Sequence, residues 1–433
     1  MTVVSQWKTD FPVVRLKNLL ATPITDGPHT TPEFLPSGVP FLSVDAIQNG
    51  ELTFNKCRFI SASDHAEFTR KARPQIDDIL MGKAASTGKI ARVKEPQEFS
   101  IWSPLAIIRV NQKIAEPRFT EYVLKSPEVQ FEIDGYCTEN TQKNISMRDI
   151  PRITVPSPAY SRQIQVANFL DRETAQIDDL IGKQERLIAL LAEKRQAVIT
   201  QTVAKGLDPE SPTKPSGIPW IGEVNVEWAI RPLKTAGEIN LGKMIQPMPK
   251  ANSDVQAPYL RAANVQPDGI LTVKDVKEMW FNKRELASLD VLAGDVVVVE
   301  GGIGGFGRAA FVDKDLGGFG YQNSINRIRP NEGVDGRLLT YLLLTARQSG
   351  FIHAYCTGVS MPHLTAEKLA VIQVPLPDHA TQTAICDFLD QRLKSFAQLS
   401  SKASNVISIL QERRSALISA AVTGKFNVLS KEL

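Results

Sequence analysis

A long internal repeat constrains the fold of this chain more than any other feature of its sequence. The segment QVANFLDRETAQID starts at Gln165 and recurs as AICDFLDQRLKSFA from Ala384, a shift of 219 residues. The same shift continues without a gap to Val203 and Val422. Repeats of about 20–50 residues build solenoids. A period this long instead predicts two copies of a globular domain, each followed by a helix.

The globular segments upstream of the two helices correspond more loosely. VPFLSVDAIQNGELTF from Val39 parallels APYLRAANVQPDGILTV from Ala257. Both segments contain short strands joined by Gly-rich turns, and VVVVE and RAAFV are two such strands in the second copy. Each segment also contains one candidate helix, at 119–131 in the first copy and at 337–350 in the second. We predict an α+β fold with two β-rich globular domains. The scarcity of helices argues against the alternative, a parallel α/β sheet.

Pro-rich turns mark the borders between these segments. A Pro-containing strand end precedes each helix, and the turn-rich stretch KGLDPESPTKPSG follows the first helix. We therefore predict a first globular domain at 1–157, a first long helix at 158–205, a linker and second globular domain at 206–376, a second long helix at 377–426 and a tail at 427–433.

The two helical segments carry matching heptad patterns. About 40 residues with a rise of 1.5 Å each form a rod of roughly 60 Å, whose apolar stripe needs a cover. Because the stripes match in register and length, we predict that the helices form a coiled coil with each other. A pseudo-two-fold relation between the repeats would make this coiled coil antiparallel and put the globular domains at opposite ends. Alternatively, each helix packs only on its own domain. The predicted seam consists of Leu170, Ile177, Leu180, Leu187, Leu191, Val198, Leu389, Phe396, Leu399, Val406, Leu410 and Leu417.

Composition leaves the binding partner open. The chain has 50 Lys and Arg residues against 47 Asp and Glu residues, and its net charge of +3 neither requires nor excludes nucleic acid. Its four cysteines lack CxxC spacing, so the sequence indicates neither a zinc site nor a disulfide framework. No apolar run is long enough to span a membrane, and the N-terminus lacks a signal-peptide pattern. We expect a cytoplasmic protein.

Two Gly-rich runs resemble nucleotide-binding loops without meeting their requirements. GGIGGFG from Gly301 contains GxGxxG, but the following RAAFV indicates a strand where a helix is needed. GKAASTGKI from Gly82 has Ile90 where a P-loop needs Ser or Thr. We interpret both runs as equivalent hairpins in which glycine lets the backbone approach a phosphate that a nearby cation neutralises. The alternative is an ordinary solvated hairpin. The candidate DNA-binding cations are Lys83, Lys89, Arg92 and Arg308.

Further polar residues occupy matched positions just before each helix. Gln142, Lys143 and Asn144 precede Ile145, and His363 precedes Leu364 in the second copy. Gln and Asn side chains can bind adenine with two hydrogen bonds, and Lys can bind guanine or phosphate. These four polar residues are further DNA-binding candidates.

The sequence contains no recognisable catalytic or metal-binding set. Its five histidines have no acid or nucleophile at an informative spacing, and HExxH is absent. The N/D-P-P-Y/F tetrapeptide of amino methyltransferases is absent as well. We interpret the chain as a non-enzyme without catalytic residues or a metal site.

The order of variable domain, long helix, variable domain and long helix resembles the specificity subunit of type I restriction–modification systems. Three segments carry this resemblance, which covers essentially the whole chain: SGIPWIGEVNVEWAIRPLK from Ser216, EKRQAVITQTVAKGLDP from Glu193 and ERRSALISAAVTGKFNV from Glu412. It implies that each globular domain reads one half of a bipartite asymmetric site in double-stranded DNA. It also implies that the helices set the spacing and dock two modification (methyltransferase) subunits.

The resemblance further implies that this chain binds no cofactor. S-adenosylmethionine would be bound by the modification subunits, and ATP and Mg by the restriction/translocase subunits. The rival interpretation is a coiled-coil scaffold or adaptor with two protein-binding or glycan-binding domains and no DNA specificity. A lesser rival is a self-contained methyltransferase.

The chain departs from a perfect duplication at two places. SGIPWIGE has only a degenerate N-terminal counterpart, in WKTDFPVVRLKNLL from Trp7. The second copy also has Arg261 and Asn264 where the first has Ser43 and Ala46. Because positions that read different half-sites should differ, Arg261 and Asn264 complete the DNA-binding candidates.

Overall fold

The contacts within the chain divide it into two units, each containing a globular domain and parts of both long helices. Unit 1 comprises Met1–Glu185 and Ser404–Leu433, and unit 2 comprises Arg186–Ala403. The structure, a computed structural model, describes residues 7–139, 143–302, 305–356 and 362–425.

Unit 1 is built from short strands. In chain order these are β1 (Val13–Arg15), β2 (Thr25–Asp26), β3 (Val39–Leu42), β4 (Ile47–Gln48), β5 (Glu51–Leu52), β6 (Arg58–Ile60), β7 (Ile79–Gly82), β8 (Ile90–Arg92), β9 (Ser100–Ile101), β10 (Leu105–Ile108), β11 (Thr138–Glu139), β12 (Lys143–Asn144) and β13 (Thr154–Pro156). An antiparallel sheet has the order β2-β10-β7-β8. In a second sheet β3 lies between antiparallel β6 and parallel β9. The pairs β1–β13, β4–β5 and β11–β12 are antiparallel.

The helices of unit 1 begin at recognisable capping signals. They are α1 (Ala62–Phe68), α2 (Pro117–Lys125), α3 (Pro127–Tyr136) and the first long helix, α4 (Tyr160–Lys205), which continues into unit 2. Ser61 caps α1 by accepting a hydrogen bond from the backbone N–H of Asp64 at 3.0 Å. Proline starts α2 and α3, where its missing N–H costs no helical hydrogen bond. Short 3₁₀ helices span Leu16–Leu19, Val44–Ala46 and Ile150–Arg152.

Unit 2 repeats this architecture. Its strands are β14 (Thr213–Pro215), β15 (Glu223–Asn225), β16 (Ala229–Pro232), β17 (Gly237–Leu241), β18 (Val255–Leu260), β19 (Lys277–Phe281), β20 (Val296–Val299), β21 (Ala309–Phe311), β22 (Gly320–Tyr321), β23 (Ile325–Pro330) and β24 (Gln373–Leu376). The sheet β17-β23-β20-β21 matches β2-β10-β7-β8, and β19-β18-β22 matches β6-β3-β9, including its one parallel pair. The antiparallel pair β16–β24 matches β1–β13. The hairpin β14–β15 encloses the SGIPWIGE segment.

The helices of unit 2 follow the same order as those of unit 1, with one additional short helix before the last strand. They are α5 (Lys283–Ser288), α6 (Gly336–Gln348), α7 (Phe351–Cys356), the additional α8 (Ala366–Ala370) and the second long helix, α9 (His379–Val422), with 3₁₀ helices at Leu233–Thr235 and Ala262–Asn264. The second long helix returns into unit 1 from residue 404 onward. The predicted α+β class and internal repeat are confirmed.

One inner strand of each four-stranded sheet, β20 in unit 2 and β7 in unit 1, is buried on both faces. In unit 2, Val296 and Val298 point into the core that contains the helices, whereas Val297 and Val299 point into a second apolar cluster. This burial explains the uninterrupted apolar run, since alternating side chains both face protein. The equivalent strand β7 of unit 1 divides its side chains in the same way.

Within each unit, the beginning of one long helix packs with the end of the other. In unit 1, Leu170 of α4 shares a buried core with Ile418 of α9. In unit 2, Leu389 near the start of α9 shares a core with Ile199 near the end of α4. Such pairing of early with late residues requires opposite helix directions. The predicted antiparallel arrangement is confirmed.

The buried seam differs from the prediction near the middle of each helix. The prediction is wrong for Leu180, Leu187, Leu399 and Val406, which are 44%, 41%, 47% and 40% exposed. The remaining predicted positions are buried at Leu170, Ile177, Leu191, Leu389 and Phe396 and half-buried at Val198, Leu410 and Leu417.

The prediction failed there because smaller or polar residues occupy the seam positions near the middle of each helix. A step of seven residues from Ile177 leads to Gln184, and the same step from Phe396 leads to Ala403. Gln184 is half-buried and Ala403 is buried, so these small or polar residues occupy the seam. The prediction chose nearby large apolar residues, but helix periodicity rather than hydrophobicity decides which residues face the partner.

Candidate functional site

A hydrogen-bond network fixes the globular domain of unit 1 to its long helix. The Tyr122 hydroxyl donates to Asp171 Oδ1 at 2.8 Å, and Arg118 Nη1 donates to Asp171 Oδ2 at 2.9 Å. Burial and the nearby Asp171 carboxylate raise the pKa of Tyr122, so its hydroxyl remains a donor. These contacts join α2 to the start of α4.

Unit 2 repeats the network at the equivalent positions. Tyr341 donates to Asp390, and Arg337 Nη1 donates to Asp390 Oδ2 at 2.8 Å. The repeat extends to Gln163 and Gln382, whose amides each donate to the carbonyl of the proline five residues earlier at 2.9 Å. These positions are identical in both copies because they position the domains rather than distinguish them.

The two predicted groups of loop residues lie together in unit 1. The Thr87 hydroxyl in the Gly-rich hairpin donates to the carbonyl of Lys143 at 2.7 Å. The backbone N–H of Ile145 donates to the carbonyl of Lys83 at 2.9 Å. Lys143 and Asn144 are exposed there, and Lys143 pairs with Asp134. The β7–β8 loop and the paired strands β11 and β12 therefore form one polar surface.

The corresponding loops also meet in unit 2. The backbone N–H of Leu364 donates to the carbonyl of Glu300 at 2.7 Å, and His363 Nδ1 lies 2.8 Å from Glu300 Oε2. The His363 side chain is 44% exposed and that of Glu300 is 13% exposed. Sequence reasoning missed Glu300, although it directly precedes the Gly-rich run. Unit 1 has Lys83 at this position, so the two units carry side chains of opposite charge here.

Antiparallel strands flank both Gly-rich runs, as expected for hairpins. These are the pairs β7–β8 and β20–β21, and strands rather than helices follow. The helix N-terminus that a dinucleotide fingerprint or a P-loop requires does not follow either run in the described residues. Residues 303–304 of the second run and the candidate Gln142 lie outside the described residues.

Lys83 is engaged inside unit 1. Its side chain is 11% exposed, and its Nζ lies 2.9 Å from Asp26 Oδ2. Lys71 Nζ also donates to Asp26, at 2.6 Å. Burial tends to raise the pKa of Asp26, but these two ammonium groups outweigh it and hold the pKa below its ordinary value. A DNA contact by Lys83 would have to compete with this ion pair.

The remaining predicted cations differ in accessibility. Arg92 is 14% exposed and pairs with Asp77 at 2.6 Å and Glu121 at 3.1 Å. Lys89 is exposed, and Arg308 is half-buried. Lys89 and Arg308 directly precede the equivalent strands β8 and β21. Of these three cations, Lys89 is the most accessible to a polyanion.

The Asn264 side chain stabilises a turn in unit 2. It is 1% exposed, and its Oδ1 accepts a hydrogen bond from the backbone N–H of Arg261 at 2.9 Å. Its amide donates to the carbonyls of Thr272 at 2.9 Å and Asp275 at 3.2 Å. Its polar atoms close a turn, so a DNA contact by Asn264 would have to break these hydrogen bonds. Arg261 forms an ion pair with Asp275 and is 23% exposed.

The described part of the chain contains no cluster of His, Cys, Asp and Glu arranged to hold a metal ion. No helix within the described ranges combines the length and apolar character needed to cross a membrane.

Sequence comparison relates this chain to known DNA-specificity proteins. Residues 225–408 match the family model of the type I restriction modification DNA specificity domain. The type I restriction enzyme MjaVIII specificity subunit of Methanocaldococcus jannaschii is 23% identical over 401 residues, covering 90% of this chain and 89% of that protein. The StySPI specificity subunit of Salmonella potsdam is 26% identical over 168 residues, covering 38% of this chain and 36% of that protein.

A solved structure shares the fold. A chain from work on complex assembly and conformational transition of the type I R-M system aligns with a TM-score of 0.64 and 15% identity, covering 96% of this chain and 98% of that one. The duplicated α+β units and paired long helices thus define a class of two-domain chains built on an antiparallel coiled coil. This chain is similar to the type I restriction–modification specificity subunits, a family that is in general non-catalytic. The comparisons give no support to the scaffold interpretation.

Proposed function

We propose that this chain is the sequence-specific DNA-recognition subunit of a type I restriction–modification complex. The globular domains at 1–157 and 206–376 would each read one half of a bipartite asymmetric site in double-stranded DNA. The duplication is the observation that supports this proposal, because the same sheets and the same anchoring tyrosines occur twice. The accessible side chains differ between the copies, as at Asn144 and His363, which directly precede Ile145 and Leu364. Two domains with the same fold but different accessible side chains are suited to recognise two different half-sites.

Exposed apolar residues on the long helices support docking of partner subunits. Six such residues, 40% to 63% exposed, occur at positions related by the repeat. They are Leu180, Val406 and Ile409 in unit 1 and Leu187, Leu190 and Leu399 in unit 2. Clustered apolar exposure often marks a protein interface. Because each unit carries one equivalent set, we propose that two modification subunits dock, one on each unit.

The partner subunits would supply the chemistry. We propose that this chain binds no cofactor, that the modification subunits bind S-adenosylmethionine, and that the restriction/translocase subunits use ATP and Mg. We also propose a cytoplasmic location, because methylation and cleavage need access to cellular DNA.

Two binding measurements and methylome sequencing test this function. Calorimetry of the purified chain with S-adenosylmethionine should show no binding, whereas a self-contained methyltransferase would bind it. Gel shifts with a co-expressed modification subunit should show preference for a bipartite sequence. Methylome sequencing of cells carrying both subunits should reveal that motif. DNA binding without sequence preference, together with no methylated motif, would instead favour the scaffold.

A further inference from the structure

Unit 1 contains a small surface pocket that none of the DNA-binding candidates line. Its cavity has a volume of about 170 Å³ and lies where the sheet of β3, β6 and β9 meets the turn before β6. An aromatic wall formed by Phe41 and Trp102 faces the polar side chains of Asn55, Lys56 and Arg58. The ring centroids of Phe41 and Trp102 lie 6.0 Å apart. The pocket thus combines a rigid apolar wall with hydrogen-bond donors.

Arg58 is held in this pocket by aromatic rings. Its guanidinium carbon lies 4.8 Å from the centroid of Phe34 and 5.3 Å from that of Trp102. The side chain is exposed, and within the described ranges it forms no ion pair with a carboxylate. Cation–π contacts orient a guanidinium through its face, so its N–H groups remain able to donate in the plane. The two aromatic rings therefore orient the Arg58 guanidinium, while its N–H groups remain available to donate to a ligand.

The turn beside Arg58 adds two further donors. Lys56 has a φ of 59°, in the left-handed region that non-glycine residues rarely adopt. Such a conformation persists only where the surrounding structure enforces it. Asn55 and Lys56 are both exposed, and the backbone N–H of Asn55 donates to Thr53 Oγ1 at 3.2 Å. The turn consequently presents an amide and an ammonium group next to the guanidinium.

The equivalent place in unit 2 has different side chains. Strand pairing puts Lys277 at the position of Arg58. Gln322 replaces Trp102, since both donate their backbone N–H to the last residue of the equivalent strands β3 and β18. Both units therefore have a cation at this position, but in unit 2 a glutamine replaces the aromatic Trp102. This variation contrasts with the anchoring positions, which are identical, and fits domains that recognise different sequences.

We propose that this pocket is the base-reading site of the first globular domain, with Arg58 as its specificity-determining residue. The guanidinium would donate two parallel hydrogen bonds to O6 and N7 of a guanine in the major groove, the contact that arginine makes most often with a specific base. This assignment rests on the proposed function and names the part of unit 1 that reads sequence.

The test compares three substitutions in the complex of the full chain with its modification subunit. Arg58→Ala should lower affinity for the cognate site about ten- to a hundredfold. It should also relax one G·C position of the first half-site while the second half-site stays unchanged. Arg58→Lys should weaken the guanine preference at the same position but keep the salt dependence of binding. The charge remains and lysine can still donate to guanine, but the planar fork that donates two parallel hydrogen bonds is lost. Arg73→Ala removes another exposed arginine of unit 1, paired with Glu98, and should leave the motif unchanged.

Methylome sequencing and salt titration of DNA binding give distinct outcomes. An unchanged motif in the Arg58→Ala and Arg58→Lys complexes would overturn the pocket assignment. So would uniformly weaker binding with a reduced salt slope and an unaltered motif, since that result indicates a phosphate contact. If Arg58→Ala does not assemble, Arg58→Lys decides. A wild-type complex that methylates no bipartite motif would instead overturn the proposed function itself.

Discussion

Arg414 and Asp178 form an ion pair between the two long helices of unit 1, with 3.0 Å between Arg414 Nε and Asp178 Oδ1. They are 236 residues apart in sequence. Asp178 lies in the first half of α4 and Arg414 in the last part of α9, as antiparallel helices require. The Asp178 side chain is 51% exposed, so the pair contributes little to stability. The buried seam around it holds the helices together.

A crosslinking measurement tests this antiparallel register. The double variant Asp178→Cys, Arg414→Cys should react efficiently with a short bismaleimide, because these side chains meet. The control is Asp178→Cys with Ala397→Cys, since parallel helices would bring position 178 beside its repeat equivalent at 397. The single variant Asp178→Cys measures the background from the natural cysteines. Efficient crosslinking only in the control pair would contradict antiparallel pairing.

The anchoring tyrosines should contribute similarly to the stability of the two units. We expect Tyr122→Phe and Tyr341→Phe each to lower the free energy of unfolding by about 1 kcal/mol, because each removes a hydrogen bond to an aspartate. Urea titration measures the change. Tyr355→Phe is a suitable control, since Tyr355 is 39% exposed and its ring stacking on Phe351 would survive. Wild-type stability in both anchoring variants would show that these hydroxyls do not stabilise the fold.

Asp26 should make the stability of unit 1 depend on pH. The lysines Lys71 and Lys83 hold the folded pKa of Asp26 below its ordinary value of 3.8. Its contribution is therefore present above the unfolded pKa and is lost as pH falls through the folded pKa. We expect Asp26→Asn to destabilise at pH 7 and to approach wild-type stability at pH values well below 3.8. Chemical unfolding at several pH values measures this, with the exposed Asp10→Asn as control. A constant difference down to low pH would refute the pairing.

The ends of the Gly-rich hairpins should contact phosphates. Replacing Lys89 or Arg308 by alanine should weaken DNA binding without changing the motif. It should also reduce the slope of log affinity against log salt by about one, because one fewer counterion is released. Salt titrations of the complex measure the slope. Lys94→Ala is the control, since Lys94 is paired with Glu51. Slopes equal to wild type in both variants would place these loops away from the DNA.

Helix length should determine the spacer between the half-sites. Inserting one heptad into each long helix, after Leu187 and after Val406, keeps the seam in register and adds roughly 10 Å. The preferred spacer should grow by about three base pairs, at about 3.4 Å per step, while the bases in each half stay the same. Methylome sequencing reports both properties. Altered bases with an unaltered spacer would show that the helices do not set the distance.

The sequence by itself determined the duplicated plan. The constant shift from Gln165 to Ala384 and the heptad spacing are properties of residue order, so they predict two repeats and paired helices without knowledge of any contact. The Gly-rich hairpins were also predictable. GGIGGFG is followed by RAAFV, a short apolar run bounded by turn residues, and such a run is typical of a buried strand.

The tertiary structure alone decided which side chains are available. Asn264 and Asn144 look equally suited to contact a base in the sequence, yet Asn144 is exposed whereas the Asn264 amide donates to the carbonyls of Thr272 and Asp275. Arg58 gives no signal in the sequence, because the two rings that orient it lie at Phe34 and Trp102. The exposure of a side chain and its hydrogen bonds depend on residues that folding brings next to it. The spacing of residues along the chain does not predict these neighbours.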